Sequence, residues 1–196
     1  QIVGNNGFPG IALPDYALLR IDLGGSPEND QLNLPATIRG MGTILFNVHQ
    51  RPFTTEVWIP NTGAFNERHR GEKNFIRGQV VSNRISILDV NAPAQSTQII
   101  DLDSLAPNFD VRCAQPTGIA FTREGTRAFV CGYGSDSLAV LDINGPDITW
   151  AGSINIEHVA IYPDGAGPRV AEVSPDGRWL IVFNKSENSF SRIDLL

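Results

Sequence analysis

The stretch QPTGIAFTREGTRAFVCGYGSDSLAVLDI, Gln115–Ile143, decides the fold. β-Branched and aromatic runs alternate in it with turn residues, the pattern of short strands joined by hairpins. Thr117–Thr122 and Arg127–Cys131 are expected to be strands around an Arg-Glu-Gly-Thr turn, and Leu138–Ile143 a third strand after a Gly/Ser/Asp-rich connection. The pattern returns 52 residues later, where Gly177 answers Gly125, Asp194 answers Asp142 and Pro168 answers Pro116. A looser copy upstream ends in SNRISILDV around Asp89, and a further ending, ALLRIDL, holds Asp22. Leu18, Ile85, Leu138 and Phe190 fill the same apolar slot in the four copies.

Self-similarity at this period, with several strands per unit, indicates an all-β fold of propeller blades. A generic β-sandwich would not keep whole hairpins in register from unit to unit. Residues 1–35 form a partial blade and connector, 36–103 a blade with an inserted loop at 61–81, 104–154 a second blade, and 155–196 an incomplete last blade, all of one propeller domain. About three to four four-stranded blades are thus visible, whereas propellers close with roughly 4–8. The expectation is a larger ring of roughly six to eight blades. Its remaining blades would come from the same or another chain, because open sheet edges expose unpaired backbone groups.

The run Pro116-Thr-Gly-Ile-Ala-Phe followed by Gly125-Thr-Arg-Ala-Phe-Val and Ser135-Asp-Ser-Leu-Ala-Val-Leu-Asp resembles the YVTN-type β-propeller repeat. Ser174-Pro-Asp-Gly-Arg is similar to the first hairpin of that repeat. The resemblance covers residues 36–195 and is strongest from 115 onward. It departs from Tyr-Val-Thr-Asn at Phe129-Val-Cys-Gly and Ile181-Val-Phe-Asn. Glu56-Val-Trp-Ile-Pro-Asn-Thr-Gly with Ser82-Asn-Arg-Ile-Ser resembles, more weakly, propeller segments of bacterial proteins that accompany c-type haem.

The 196 residues suffice for one good core or two small ones, and 41% apolar content with 19 Gly and 13 Pro suits a turn-rich β protein. No apolar run approaches the ~20 residues that span a bilayer, and no signal peptide is visible. The first residue is Gln1 rather than Met, as expected of a processed chain or a piece of a longer one. A net charge of −6 argues against nucleic acid as a partner.

In a four-stranded blade, the connections from outer strand to next inner strand and from second to third strand lie on one face. The insertion 61–81, the lead-in 155–169, Arg112–Gln115 and Gly132–Asp136 are therefore expected together. Loops gathered on a rigid scaffold are where binding residues concentrate. Arg68, His69, Arg70, Lys73, His158 and Arg169 are the candidates for contacts to an acidic partner or anion, the guanidinium groups because they hold carboxylates bidentately. Cys113 and Cys131, the only cysteines, fall at neighbouring strand ends, where either a disulfide or two unpaired thiols is compatible with the topology. A disulfide would point to an oxidising compartment.

No Cys-x-x-Cys-His, Walker A loop, His-Glu-x-x-His or Gly-x-Ser-x-Gly is present. His49, His69 and His158 are too scattered to define a metal site, and Asp89, Asp142 and Asp194 read as turn-fixing residues. No catalytic residue, cofactor or metal is assigned to this stretch. The reading is an exported scaffold or binding module, periplasmic or extracellular, with a protein partner. The second resemblance implies support of a c-type cytochrome whose haem lies elsewhere in a longer protein. A lactonase-like or metal-dependent propeller enzyme and a cell-surface structural subunit are the alternatives.

Overall fold

A computed structural model describes residues 18–22, 31–38, 41–64, 81–92, 98–156 and 165–196. The chain divides into two units, Gln1–Met41 and Gly42–Leu196. In the first, β1 (Leu18–Asp22) pairs antiparallel with β2 (Gln31–Ile38). Strand β2 corrects the expectation that residues 1–35 end in a connector. Gln31-Leu32-Asn33-Leu34 alternates as a strand should, but Pro35 obscures the signal. The register shifts between Leu18 and Arg20 of β1, opposite the part of β2 that holds Pro35.

The second unit is built from three antiparallel sheets among the described residues. The first consists of β3 (Ile44–Leu45), β4 (His49–Gln50), β5 (Glu56–Ala64), β6 (Val81–Asp89) and β7 (Gln98–Asp101). Its inner strand is in two pieces, β3 and β4. It is broken because the ladder is interrupted opposite Pro60, which has no N–H to give. The insertion is also shorter than expected: Asn61–Ala64 continue β5, and β6 already starts at Val81. A one-turn helix, α1 (Leu102–Leu105), then carries the chain on, capped by the Asp101 carboxylate, which accepts from the N–H groups of Asp103 and Ser104.

The second sheet runs β8 (Pro116–Phe121), β9 (Arg127–Gly132), β10 (Ser137–Asn144) and β11 (Asp147–Asn155), each strand beside the next. The third holds β12 (Pro168–Val173), β13 (Trp179–Asn184) and β14 (Ser189–Asp194). The hairpins β8–β9 and β12–β13 turn at Gly125 and Gly177, both at positive φ (67° and 75°), which glycine alone adopts without strain.

Alternation along β9 assembles the stack. Ala128 and Val130 point into a core shared with the first sheet, beside Trp58, Ile85, Ile87 and Leu141. Phe129 and Cys131 point the other way, into a core shared with the third sheet, beside Ala171, Leu180 and Val182. The same parity keeps the two cysteines apart. Cys113 lies in the first core and Cys131 in the second, and both thiols are free and buried. Burial pushes both thiols up, Cys131 to about 12.

Two predictions follow from this packing. Native protein should leave a thiol reagent unreacted, and unfolding without reductant should release both thiols; a disulfide would release neither. Leu138→Ala should cost about 2–5 kcal/mol, because Leu138 is wholly buried. Phe190→Ala, one repeat on, should cost less than about 1 kcal/mol, because Phe190 is 73% exposed; urea unfolding of the two variants checks the contrast.

Candidate functional site

The loop-bearing end of the seam between the second and third sheets is cross-linked by side-chain bonds. Residues 133–136 form the connection from β9 to β10. Within it Asp136 takes a left-handed backbone (φ 49°), which presents its carboxylate to the strand that follows the next lead-in. Gly167 N–H donates to Asp136 Oδ1 at 2.8 Å. Gly165 and Gly167 are required here. A side chain on Gly165 would meet the Asp136 carboxylate, and one on Gly167 would meet Ser186 and the Tyr133 ring. The Ser186 hydroxyl bonds Tyr133 Oη at 3.2 Å, tying the β13–β14 connection to the β9–β10 connection.

Gln115 also holds a left-handed backbone (φ 54°). Its carbonyl accepts from Tyr133 N–H at 3.1 Å, and its N–H donates to Asn83 Oδ1 at 2.8 Å. Asn83 is oriented by Asp103, which accepts from its backbone N–H and its amide at 3.0 Å each. This face therefore gathers Gln115, Tyr133, Asp136 and Ser186 on a fixed backbone, as the topology argument expected of Arg112–Gln115 and Gly132–Asp136.

Arg169 lies at this end, half-buried at the start of β12. The register of β12 on β13 shifts by one residue between Pro168 and Val170, so Arg169 sits in a bulge. β8 carries the corresponding shift between Pro116 and Ile119. Bulges re-aim a side chain out of the strand's alternation. Thr117 Oγ1 lies 3.2 Å from Pro168 O and 3.4 Å from Cys131 O, which pins the two bulged strands together. The Arg169 guanidinium has no hydrogen-bond or ion-pair partner among the described residues. Arg68, His69, Arg70, Lys73 and His158 lie outside the described residues.

Two polar features escaped the sequence reading. Asn61 and Asn184 occupy one position of the repeat in the second strand, and both are buried. Each donates its amide to a serine of the third strand, Asn61 to Ser86 at 3.0 Å and Asn184 to Ser191 at 2.8 Å. The middle repeat has Gly132 and Ala139 there, which hid the pairing. The second feature is His49. Ile119 N–H of β8 donates to its Nε2 at 3.2 Å, so the ring is neutral and bridges two inner strands. Arg51 reinforces that seam, donating through Nε to Gly125 O at 2.8 Å while Nη1 pairs with Glu56 at 3.0 Å.

The aspartates that recur after the third strand do different work from blade to blade. Asp89 and Asp194 fix turns by accepting from Asn91 N–H at 2.8 Å and from Leu196 N–H at 3.2 Å, while Asp142 and Asp194 also pair with Arg127 (2.7 Å) and Arg178 (3.2 Å). Among the described residues no cluster of His, Cys, Asp and Glu could hold a metal, and no helix is long and apolar enough to cross a membrane.

Radially stacked four-stranded antiparallel sheets, each entered through its inner strand, define a β-propeller, and this chain has that fold. Comparison with protein-family models returns no match, and comparison with curated proteins returns none either. Solved structures are similar. Hydrazine synthase of Kuenenia stuttgartiensis matches over 81% of this chain and 47% of its own at TM-score 0.59 and 18% identity. The periplasmic gluconolactonase PpgL of Pseudomonas aeruginosa matches over 90% and 45% at TM-score 0.56 and 14% identity. A chain of a mitotic checkpoint complex matches over 81% and 40% at TM-score 0.52 and 14% identity. The chain thus spans less than half the length of each of these structures.

The His49 bridge has a measurable consequence. Burial lowers its pKa from the ordinary 6.5, so the folded state resists a proton that the unfolded chain accepts. The resulting stability is present above about pH 6.5 and is lost as pH falls from there toward the depressed folded value. His49→Gln should flatten the stability profile in that interval relative to the parent; parallel profiles would remove His49 as the cause.

Proposed function

We propose that this chain is a scaffold and binding part of a propeller protein, and that its loop-bearing face holds an acidic group of a protein partner. The observation that carries this reading is Arg169: a half-buried cation, set on a bulge of an inner strand, with no partner among the described residues. A guanidinium on a backbone held this way can form a bidentate pair with a carboxylate. Gln115, Tyr133 and Ser186 at the same end supply neutral hydrogen-bonding groups around it. The backbone beneath them is fixed by Asp136 and Thr117, so binding would order little.

The scaffold would work outside the cytoplasm, in the periplasm or beyond the cell, and would support a c-type cytochrome whose haem is carried outside this stretch. That part of the reading rests on the resemblance of 56–63 and 82–86 to propeller segments that accompany such proteins. The free thiols of Cys113 and Cys131 lend it no support. The fold is shared with a protein named as a gluconolactonase, and an enzymatic role is the second reading.

A thermal-shift titration with succinate and with an acidic tripeptide tests the site. Both should raise the melting temperature of the parent, and Arg169→Gln should abolish the rise while Arg169→Lys weakens it. Equal shifts in parent and Arg169→Gln would sink the assignment. Turnover of gluconolactone by the parent would replace the scaffold reading with the enzymatic one.

A further inference from the structure

We propose that Asn144 is a site of spontaneous deamidation, and that its product loosens the β10–β11 hairpin at the outer edge of the first seam. Asn144 ends β10 and Asp147 begins β11, so Gly145 and Pro146 alone make the turn. All four residues are exposed. Among the described residues Asn144 is the only asparagine followed by glycine. Its amide has no hydrogen-bond partner there, and the Gly145 N–H donates to none. Gly145 has no side chain to screen its nitrogen. It takes a positive φ of 60°, with open space where a Cβ would stand.

The step needs no reagent but water. Loss of the Gly145 N–H proton to solvent leaves a nitrogen that attacks the Asn144 side-chain carbonyl carbon, Cγ. A bond forms between them, the C–N bond of the side-chain amide breaks, and ammonia leaves with a proton returned by water. The five-membered imide then hydrolyses. Water opening it at Cγ restores the main chain and leaves aspartate. Water opening it at the main-chain carbonyl leaves isoaspartate, whose backbone runs through Cβ. Asp176-Gly177 provides a contrast within the same molecule. Asp176 Oδ1 accepts from the Ser174 hydroxyl and, at 3.1 Å, from Arg178 N–H. Those bonds, the Ser174 one foremost, hold its carboxyl below the usual range, so it stays ionised and resists a nucleophile.

Either product disturbs the turn. Aspartate at position 144 stands directly opposite Asp147, and like charges facing each other across a ladder destabilise it. Arg127, at the start of β9, is already paired with Asp142 at 2.7 Å. Isoaspartate adds one carbon to the main chain, so the two-residue loop no longer closes in its present register. Pro146 O accepts from the Gln98 amide of β7 at 3.4 Å, a tie between the second sheet and the first. Displacing Pro146 releases that tie. Beyond the turn, Ile148 and Trp150 pack against the first core, so the change reaches the rim of that core. This inference is independent of the anion-binding reading.

Peptide mapping of the parent chain, kept folded in mildly alkaline heavy-oxygen water, tests this. The fragment holding position 144 should lose ammonia, gain one labelled oxygen and split into aspartate and isoaspartate forms. Its rate should lie within about tenfold of that in the urea-unfolded chain, because opening a surface turn costs little. The fragment holding Asp176 should gain no label. Asn144→Gln, whose longer side chain would have to close a larger ring, should stay intact. The isolated isoaspartate form should exchange its β11 amides about tenfold faster than the parent. A folded-state rate below that margin, or labelling at Asp176 as fast as at position 144, overturns the deamidation site. Unchanged exchange in β11 overturns the loosening.

Discussion

The parity of one strand, β9, constrains the rest of the structure. It contributes Ala128 and Val130 to one core and Phe129 and Cys131 to the other. No residue on it between Ala128 and Gly132 has a solvent-facing side. A one-residue slip would exchange the two sets, placing Phe129 where Ala128 fits beside Trp58 and Ile85. The two cores are therefore not independent. The register of the central hairpin sets which side chains each neighbouring sheet meets, and Cys131 follows that parity into the core that does not hold Cys113.

The seams on either side of this sheet are closed differently. Toward the first sheet the inner strands are joined by side-chain bonds, His49 to Ile119 N–H and Arg51 to Gly125 O. Toward the third sheet the joints are a hydroxyl and a carboxylate on backbone groups, Thr117 to Pro168 O and Asp136 to Gly167 N–H. The second kind fixes the loops that carry Tyr133 and Ser186, so it shapes the surface as well as holding the seam. The bulges after Pro116 and Pro168 fall at this same seam, which is why Arg169 is displaced from the regular alternation of β12.

The fold was legible in the sequence because the repeat kept turns and apolar slots in register from Gln115 to Asp194. Less legible were features that depend on which face a side chain takes. The β9 run Arg127-Ala-Phe-Val-Cys-Gly has no polar residue inside it to mark a face, so nothing in the sequence told Cys131 from Val130. Asn61 and Gly63 read as turn residues, yet they lie within β5, where the Asn61 amide is buried against Ser86. The loop face was anticipated from blade topology, and Gln115 and Asp136 do meet its neighbours there. Their left-handed backbones were not anticipated, because neither is glycine. His49 was passed over because its partner is a backbone N–H 70 residues away.

The tryptophans are distributed so that the two ends of the stack differ in surroundings. Trp58 is fully enclosed, edge-on to Phe121 with ring centroids 5.2 Å apart. Trp179 lies at the opposite end of the stack, with the guanidinium groups of Arg178 and Arg192 over its ring at 4.6 Å and 4.4 Å. One indole is enclosed, with its Nε1–H donating to Glu56 Oε2 at 3.4 Å; the other is half-open, with two cations over its ring. With Trp150 packed against the first core, these two tryptophans make intrinsic optical reporters of the first seam and of the last face.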